Sequence, residues 1–234
     1  MDFDGRSVML TGAAGNLGRA LAEAFAARGA RLALLDLRRE ALQQAFGAED
    51  ERRMFAPANL LEQREVDAAV RAIVARFRRI DALVNVAGGF RMGEAVHETS
   101  DQTWNFLFDL NARSMLHAVR AVVPHMLAAG GGKVVNIGAY AAHRGAAHMG
   151  AYIASKSAVI RLTESMAAEL REKNVNVNCV LPTVIDTPEN RAAMPDADPA
   201  RWVAPADLAS AILFLASDAA RAIHGAALPV TGLS

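Results

Sequence analysis

Apolar residues along this chain fall into two alternating patterns: short unbroken runs, and longer stretches in which they recur every three or four positions. The runs are Ser7 to Leu10, Arg31 to Leu37, Met54 to Asn59, Ala82 to Ala87, Lys133 to Ile137, Val175 to Leu181 and Ala226 to Val230. Runs such as Leu32-Ala33-Leu34-Leu35 have no polar alternation, so they predict strands buried on both faces, as in a parallel sheet covered by helices. Between them, the spacing predicts helices over Leu17 to Arg28, ending at Gly29, and over Thr103 to Ala129, ending at Gly130-Gly131-Gly132. A further helix is predicted over Ala151 to Lys173, with a kink or break expected at Pro124 in the preceding one. Strand and helix in alternation predict an α/β fold: one Rossmann-type, doubly wound parallel sheet of about seven strands with helices on both faces.

The 234 residues, 53% hydrophobic and 21% charged, suit a single domain over residues 1–234, with no repeat and no compositional boundary. The stretch Asp186 to Trp202 is rich in Pro, Asp and charge, and residues 186–204 are expected to form a lid over the substrate. Lys plus Arg and Asp plus Glu both number 25, so no net charge recruits nucleic acid or an anionic membrane. Cys179 is the only cysteine, which excludes an internal disulfide and a cysteine-based zinc cluster. The six histidines lack metal-site spacing, so no metal is expected. With neither a basic leader nor a long apolar span near the N-terminus, a soluble protein of the reducing cytoplasm is expected.

Gly12, Gly15 and Gly18 follow the first strand and open the first helix, where missing side chains let backbone amides and a helix N-terminus approach a pyrophosphate. Asn16 and Leu17 lie inside this loop. Asp36 closes the second strand, where its carboxylate can accept from ribose hydroxyls and repel a 2′-phosphate. NAD(H) is thereby favoured, while Arg38 and Arg39 keep NADP(H) open. Farther on, Tyr152-Ile153-Ala154-Ser155-Lys156 puts a phenol and an ammonium four residues apart on one helix face. Lys156 beside Tyr152 is expected to favour the phenolate and lower the Tyr152 pKa from about 10 towards working pH. Taken alone, the pair also fits chance neighbours on a solvated helix.

The glycine cluster, Asn85-Val86-Ala87-Gly88, Asn111, Tyr152-x-x-x-Lys156 and the turn from Pro182 to Thr187 occur in an order that resembles the short-chain dehydrogenase/reductase family across nearly the whole chain. The resemblance implies that Tyr152 is the acid/base, Lys156 holds the nicotinamide ribose and lowers the Tyr152 pKa, and Asn111 anchors a water in a proton relay. Further cofactor contacts are implied at Asn59, Leu60, Asn85, Ala87, Gly88, Pro182, Val184 and Thr187, the last on the carboxamide. A homodimer or homotetramer is implied through the two long helices, Thr103 to Ala129 and Ala151 to Lys173.

Three departures stand out. Asn16 takes the place of the family's middle glycine, Asn59 that of an aspartate beside adenine, and Ala139 that of a helper serine thirteen residues before Tyr152. Without that hydroxyl a carbonyl substrate lacks one donor to its developing oxyanion, a loss on the order of a hundredfold or more in rate. His143 or His148 are alternative donors, and Phe90, Met92, Met149 and Trp202 are candidate substrate-side residues that equally fit packing or solvated loops. Ile137-Gly138-Ala139-Tyr140, Val86 to Phe90, and Leu181 to Trp202 look like the matching stretches of dihydropteridine reductases, which also carry alanine for the helper serine. The expectation is hydride transfer to a small activated acceptor. The alternatives are a carbonyl, alcohol or 3-oxoacyl reductase that has lost its serine, and a noncatalytic NAD-binding regulator.

Overall fold

A computed structural model describes residues 1–234, the whole chain. Seven parallel strands form one sheet in the order β3-β2-β1-β4-β5-β6-β7, with β1 Ser7–Thr11, β2 Arg31–Leu35, β3 Arg53–Phe55, β4 Ala82–Asn85, β5 Gly132–Ile137, β6 Val175–Pro182 and β7 Ala227–Val230. Eight helices join them: α1 Asn16–Ala26, α2 Arg39–Phe46, α3 Gln63–Phe77, α4 Asp101–Phe108, α5 Ser114–Ala128, α6 Gly150–Leu170, α7 Pro188–Ala193 and α8 Pro205–Leu215. The expected doubly wound α/β architecture is present.

Alternate residues of each central strand feed opposite sides. Met9, Ala33, Leu83 and Val134 pack with α3, α5 and α6, whereas Val8, Leu10, Leu34, Val84 and Val135 pack with α1 and α8. These two apolar clusters hold 27 and 26 buried residues, so both faces are covered and the strands read as continuous apolar runs. β1 pairs with β2 on one side and β4 on the other, and the chain reverses its winding there. The carboxyl ends of β1 and β4 therefore flank the crevice in which such sheets bind ligands.

Several expected boundaries move. The third strand is only Arg53–Phe55, which leaves Asn59 and Leu60 in the following turn, and the second stops at Leu35, which leaves Asp36 at its mouth. The helix expected over Thr103 to Ala129 begins at Asp101 and is interrupted by a π-helical turn, Asp109–Arg113, rather than at Pro124. Pro124 sits on the exposed side of α5, as does Arg120, the residue four earlier whose carbonyl the proline leaves without an amide donor. Within residues 186–204 the chain forms α7 and a 3₁₀ turn, then rejoins the body: Val203 donates its N–H to the Val184 carbonyl, and Asp186 donates to that of Val203, both at 2.9 Å. Trp202 is buried where this segment rejoins the body.

Candidate active site

The glycine loop is shaped by close approaches. Gly12 has φ +61°, and a Cβ there would lie 2.9 Å from the backbone N and Cα of Ala87; one on Gly18 would lie 2.4 Å from the Gly12 carbonyl oxygen. Only bare backbone lets α1 start this close to β1 and β4. The amides of Asn16, Leu17 and Gly18 have no acceptor within the chain, as expected of a first helical turn, and they face the crevice end of β1. Thr11 braces the loop, accepting N–H bonds from Val86 (3.1 Å) and Ala87 (3.2 Å) through its hydroxyl. Sequence reasoning gave Thr11 no role, although its position at the head of the glycine motif was the available signal.

Asp36 uses both carboxylate oxygens on backbone, accepting from Ala14 N–H at 3.0 Å and Leu37 N–H at 2.8 Å. It thereby ties the glycine loop to the β2 mouth. Arg39 is engaged by Glu49, while Arg38 is exposed. Asn59 forms a local turn, its Oδ1 accepting from Leu61 N–H at 3.0 Å, and the Leu60 carbonyl meets His117 Nδ1 at 2.9 Å. Asn85 is buried and donates to Asn136 Oδ1 at 2.8 Å, but its own Oδ1 has no partner in the protein. An orphaned acceptor at a strand end beside the glycine loop fits a bound polar group that completes it. The donor set and the glycine cradle thus suit a dinucleotide.

On the other side of the crevice, α6 carries Tyr152, Ser155 and Lys156. Lys156 is buried and donates from Nζ to the Ile137 carbonyl at 2.8 Å, making no hydrogen bond to the Tyr152 hydroxyl. The expected lowering of the Tyr152 pKa is accordingly absent. Burial pushes the phenol up to about 12, and burial pushes Lys156 down from its ordinary 10.5 to about 8. The nearby Cys179 thiol, itself pushed up to about 12 by burial, is neutral at physiological pH and supplies Lys156 with no counter-charge.

Asn111 lies on the π-helical turn, whose extra residue turns its side chain inward. Its carboxamide accepts from Gly89 N–H at 2.9 Å and donates to the Gly89 carbonyl and to Ser155 Oγ, both at 3.0 Å. Its side chain thus clamps the β4–α4 loop to α6. A Cβ placed on Gly88 would stand 3.0 Å from Asn111 Oδ1 and 3.2 Å from Lys156 Nζ, so these two groups converge on one patch of bare backbone. Ala139 is buried at the end of β5 and offers only a methyl group. His143 stacks edge-on with Tyr140 at 5.3 Å and is exposed, and His148 is exposed with φ +61°.

Pro182 ends β6, the Val184 carbonyl accepts from Val203 N–H as Ile185 bridges to Val203, and Thr187 Oγ1 caps α7 by accepting from Asn190 N–H at 3.2 Å. α7 reaches back to the glycine loop, where Asn16 Nδ2 donates to Glu189 Oε2 at 2.5 Å and Arg19 donates to Asn16 Oδ1 at 2.9 Å. Asn16, the departure from the middle glycine, is what makes this bridge. Glu189 and Arg19 were not foreseen, because nothing in their spacing signals a contact 173 residues apart.

Residues 6–198 match the family model for short chain dehydrogenases. The chain belongs to this family and is an oxidoreductase of the NAD(P)-dependent type. It is 37% identical to a D-threitol dehydrogenase of Mycolicibacterium smegmatis, with 98% of this chain and 93% of that protein covered. It is also 30% identical to the 3-oxoacyl-[acyl-carrier-protein] reductase FabG of Escherichia coli, with 99% and 98% covered. Among solved structures, carveol dehydrogenase from Mycobacterium avium in complex with NAD superposes with a TM-score of 0.88 at 28% identity, over 98% of this chain and 97% of that one. None of these three is a dihydropteridine reductase, so the finer resemblance gains no support from them.

Proposed function

We propose that the chain interconverts a secondary alcohol and its carbonyl compound with NAD(H), Tyr152 exchanging the proton. The observation that carries this reading is the convergence of Asn111 and Lys156 on Gly88, next to Ala87 against which Gly12 packs, with Tyr152 on the same helix as Lys156. The polyol, oxoacyl and carveol activities named for its relatives belong to the same reaction class. Bound nicotinamide supplies the hydride chemistry. The first-turn amides of α1 hold the pyrophosphate, Asp36 favours a ribose with a free 2′-hydroxyl, and Asn85 Oδ1, Gly88 and Lys156 line the nicotinamide side.

A neutral Tyr152 is ready to donate to a carbonyl oxygen during reduction. Oxidation needs the phenolate, which the positive charge of the Lys156 ammonium favours; only one of its three N–H donors is used, on the Ile137 carbonyl. Residues 186–204 act as the lid, and the Asn16–Glu189 contact closes it across the pyrophosphate side. Self-association runs through α4–α5 and α6, where Trp104 and Leu116 are exposed apolar side chains; a monomeric mass by light scattering would refute it.

Ala139 favours a second reading, hydride transfer to an already activated acceptor such as a quinonoid dihydropterin, which needs no helper hydroxyl. NADH oxidation against ketones, 3-oxoacyl thioesters, quinones and quinonoid dihydropterins separates the two. The first reading expects ketone turnover that Tyr152→Phe abolishes with NADH affinity kept, and that Ala139→Ser raises about tenfold or more. Turnover confined to dihydropterins establishes the second reading. Retained turnover in Tyr152→Phe removes Tyr152 from the mechanism, and NADH binding without oxidation of any acceptor leaves the regulatory alternative.

A further inference from the structure

We infer that Phe90 is the specificity-determining wall of this site and that it selects substrates presenting a flat, largely apolar face over open-chain polyols. The inference rests on the reading that Tyr152 carries the proton, and it adds which molecules Tyr152 meets. The Phe90 ring stands edge-on to the Tyr152 ring, with centroids 4.8 Å apart and planes at 85°. It is nevertheless 54% exposed, an uncovered phenyl against a ring that is itself largely buried.

The loop holds Phe90 in that place. One residue earlier, Asn111 grips Gly89 by both its N–H and its carbonyl. Gly89 is pressed so close to Leu110 that a Cβ would lie 2.6 Å from Leu110 Cδ2. One residue later, the Arg91 guanidinium lies over the Phe106 ring, 3.8 Å from its centroid. Gly93 N–H then donates to the His148 carbonyl at 2.9 Å, and His148 adopts left-handed φ, rare for a residue with a side chain, to present that carbonyl. Pinned at Gly89, Arg91 and Gly93, the segment cannot easily swing its phenyl away. Met92, also exposed, extends the apolar rim.

A preplaced ring of this kind rewards a partner that stacks on it or covers it. A polyol hydroxyl held against the same surface loses its water and gains no acceptor or donor. An aryl or cyclic alcohol that meets Tyr152 would lay its ring on the adjoining Phe90, whereas D-threitol would leave hydroxyls unmatched. The Asn111 clamp thus positions the wall as well as joining the loop to α6.

The test compares 1-phenylethanol and D-threitol as substrates with NAD⁺, in the full-length protein and its Phe90→Ala and Phe90→Tyr variants. The expected result is a kcat/KM preference of at least about tenfold for 1-phenylethanol. Phe90→Ala collapses that preference mainly through KM, and Phe90→Tyr restores it. Equal losses for both alcohols in Phe90→Ala, or a wild-type preference for D-threitol, overturn the inference. Binding of acetophenone to the NADH complex, followed by nicotinamide fluorescence, needs no turnover. If neither alcohol is oxidised, binding that weakens about tenfold or more in Phe90→Ala keeps the wall while the proposed reaction fails, and binding indifferent to Phe90 overturns the wall itself.

Discussion

Lys156 is the residue this protein keeps at a cost to its own stability. Its ammonium is buried with one hydrogen bond, to the Ile137 carbonyl, and no carboxylate faces it. Burial lowers its pKa from 10.5 to about 8. The sign follows from proton counting. Between those two values the unfolded chain binds the proton and the folded one does not, so stability rises with pH across that window; below about pH 8 the full penalty is present. The drop from 10.5 to about 8 corresponds to about 3 kcal/mol. Lys156→Met removes that penalty and leaves the Ile137 carbonyl without its donor, which costs about 1 kcal/mol. The variant should therefore be about 2 kcal/mol more stable than the wild type at pH 7, a rise of about 4–8 °C in Tm for a domain of this size. It should also be inactive. Denaturant unfolding of both proteins at intervals from pH 6 to 10 measures the difference, which should shrink as pH rises through 8. A variant no more stable at pH 7, or a difference flat with pH, would refute this reasoning.

Two further outcomes follow from the cofactor side. Gly18→Ala forces a methyl against the carbonyl oxygens of Gly12 and Ala13, backbone atoms that cannot step aside, so it should destabilise by about 2–3 kcal/mol and weaken NADH binding more than tenfold. Denaturant midpoints and a fluorescence titration check both. Asp36→Ser removes the carboxylate at the β2 mouth and should raise the NADPH-to-NADH ratio of kcat/KM about tenfold or more, with exposed Arg38 available to a 2′-phosphate; an unchanged ratio counts against Asp36 as the discriminator.

How much of this was legible depends on the range of the interaction concerned. The strands could be read because burial on both faces leaves runs such as Arg31 to Leu35 without polar alternation, and Gly12 and Gly18 could be read because their roles depend on local backbone. The π-helical turn could not. Asp109-Leu110-Asn111-Ala112-Arg113 carries no glycine or proline, and its irregularity is sustained by Asn111 bonds to Gly89 and Ser155, far away in sequence. Pro124 did not break the helix, because α5 runs on through it on an exposed face where one lost amide donor is tolerated. The direction of the Tyr152 shift was misread because spacing shows that Lys156 shares a helix face with it but not how deeply each is buried, and burial decides both values.

The sheet also ends in a way that bears on how copies of this chain can meet. β7 is an edge strand of four residues containing Pro229, which has no N–H to offer an incoming strand; β3, the opposite edge, is three residues long. Both margins are thus poor templates for another chain's strand, which disfavours fibrillar growth by sheet extension. Truncating or mutating β7 so that Pro229 is lost would expose an aggregation liability that catalytic assays would never report.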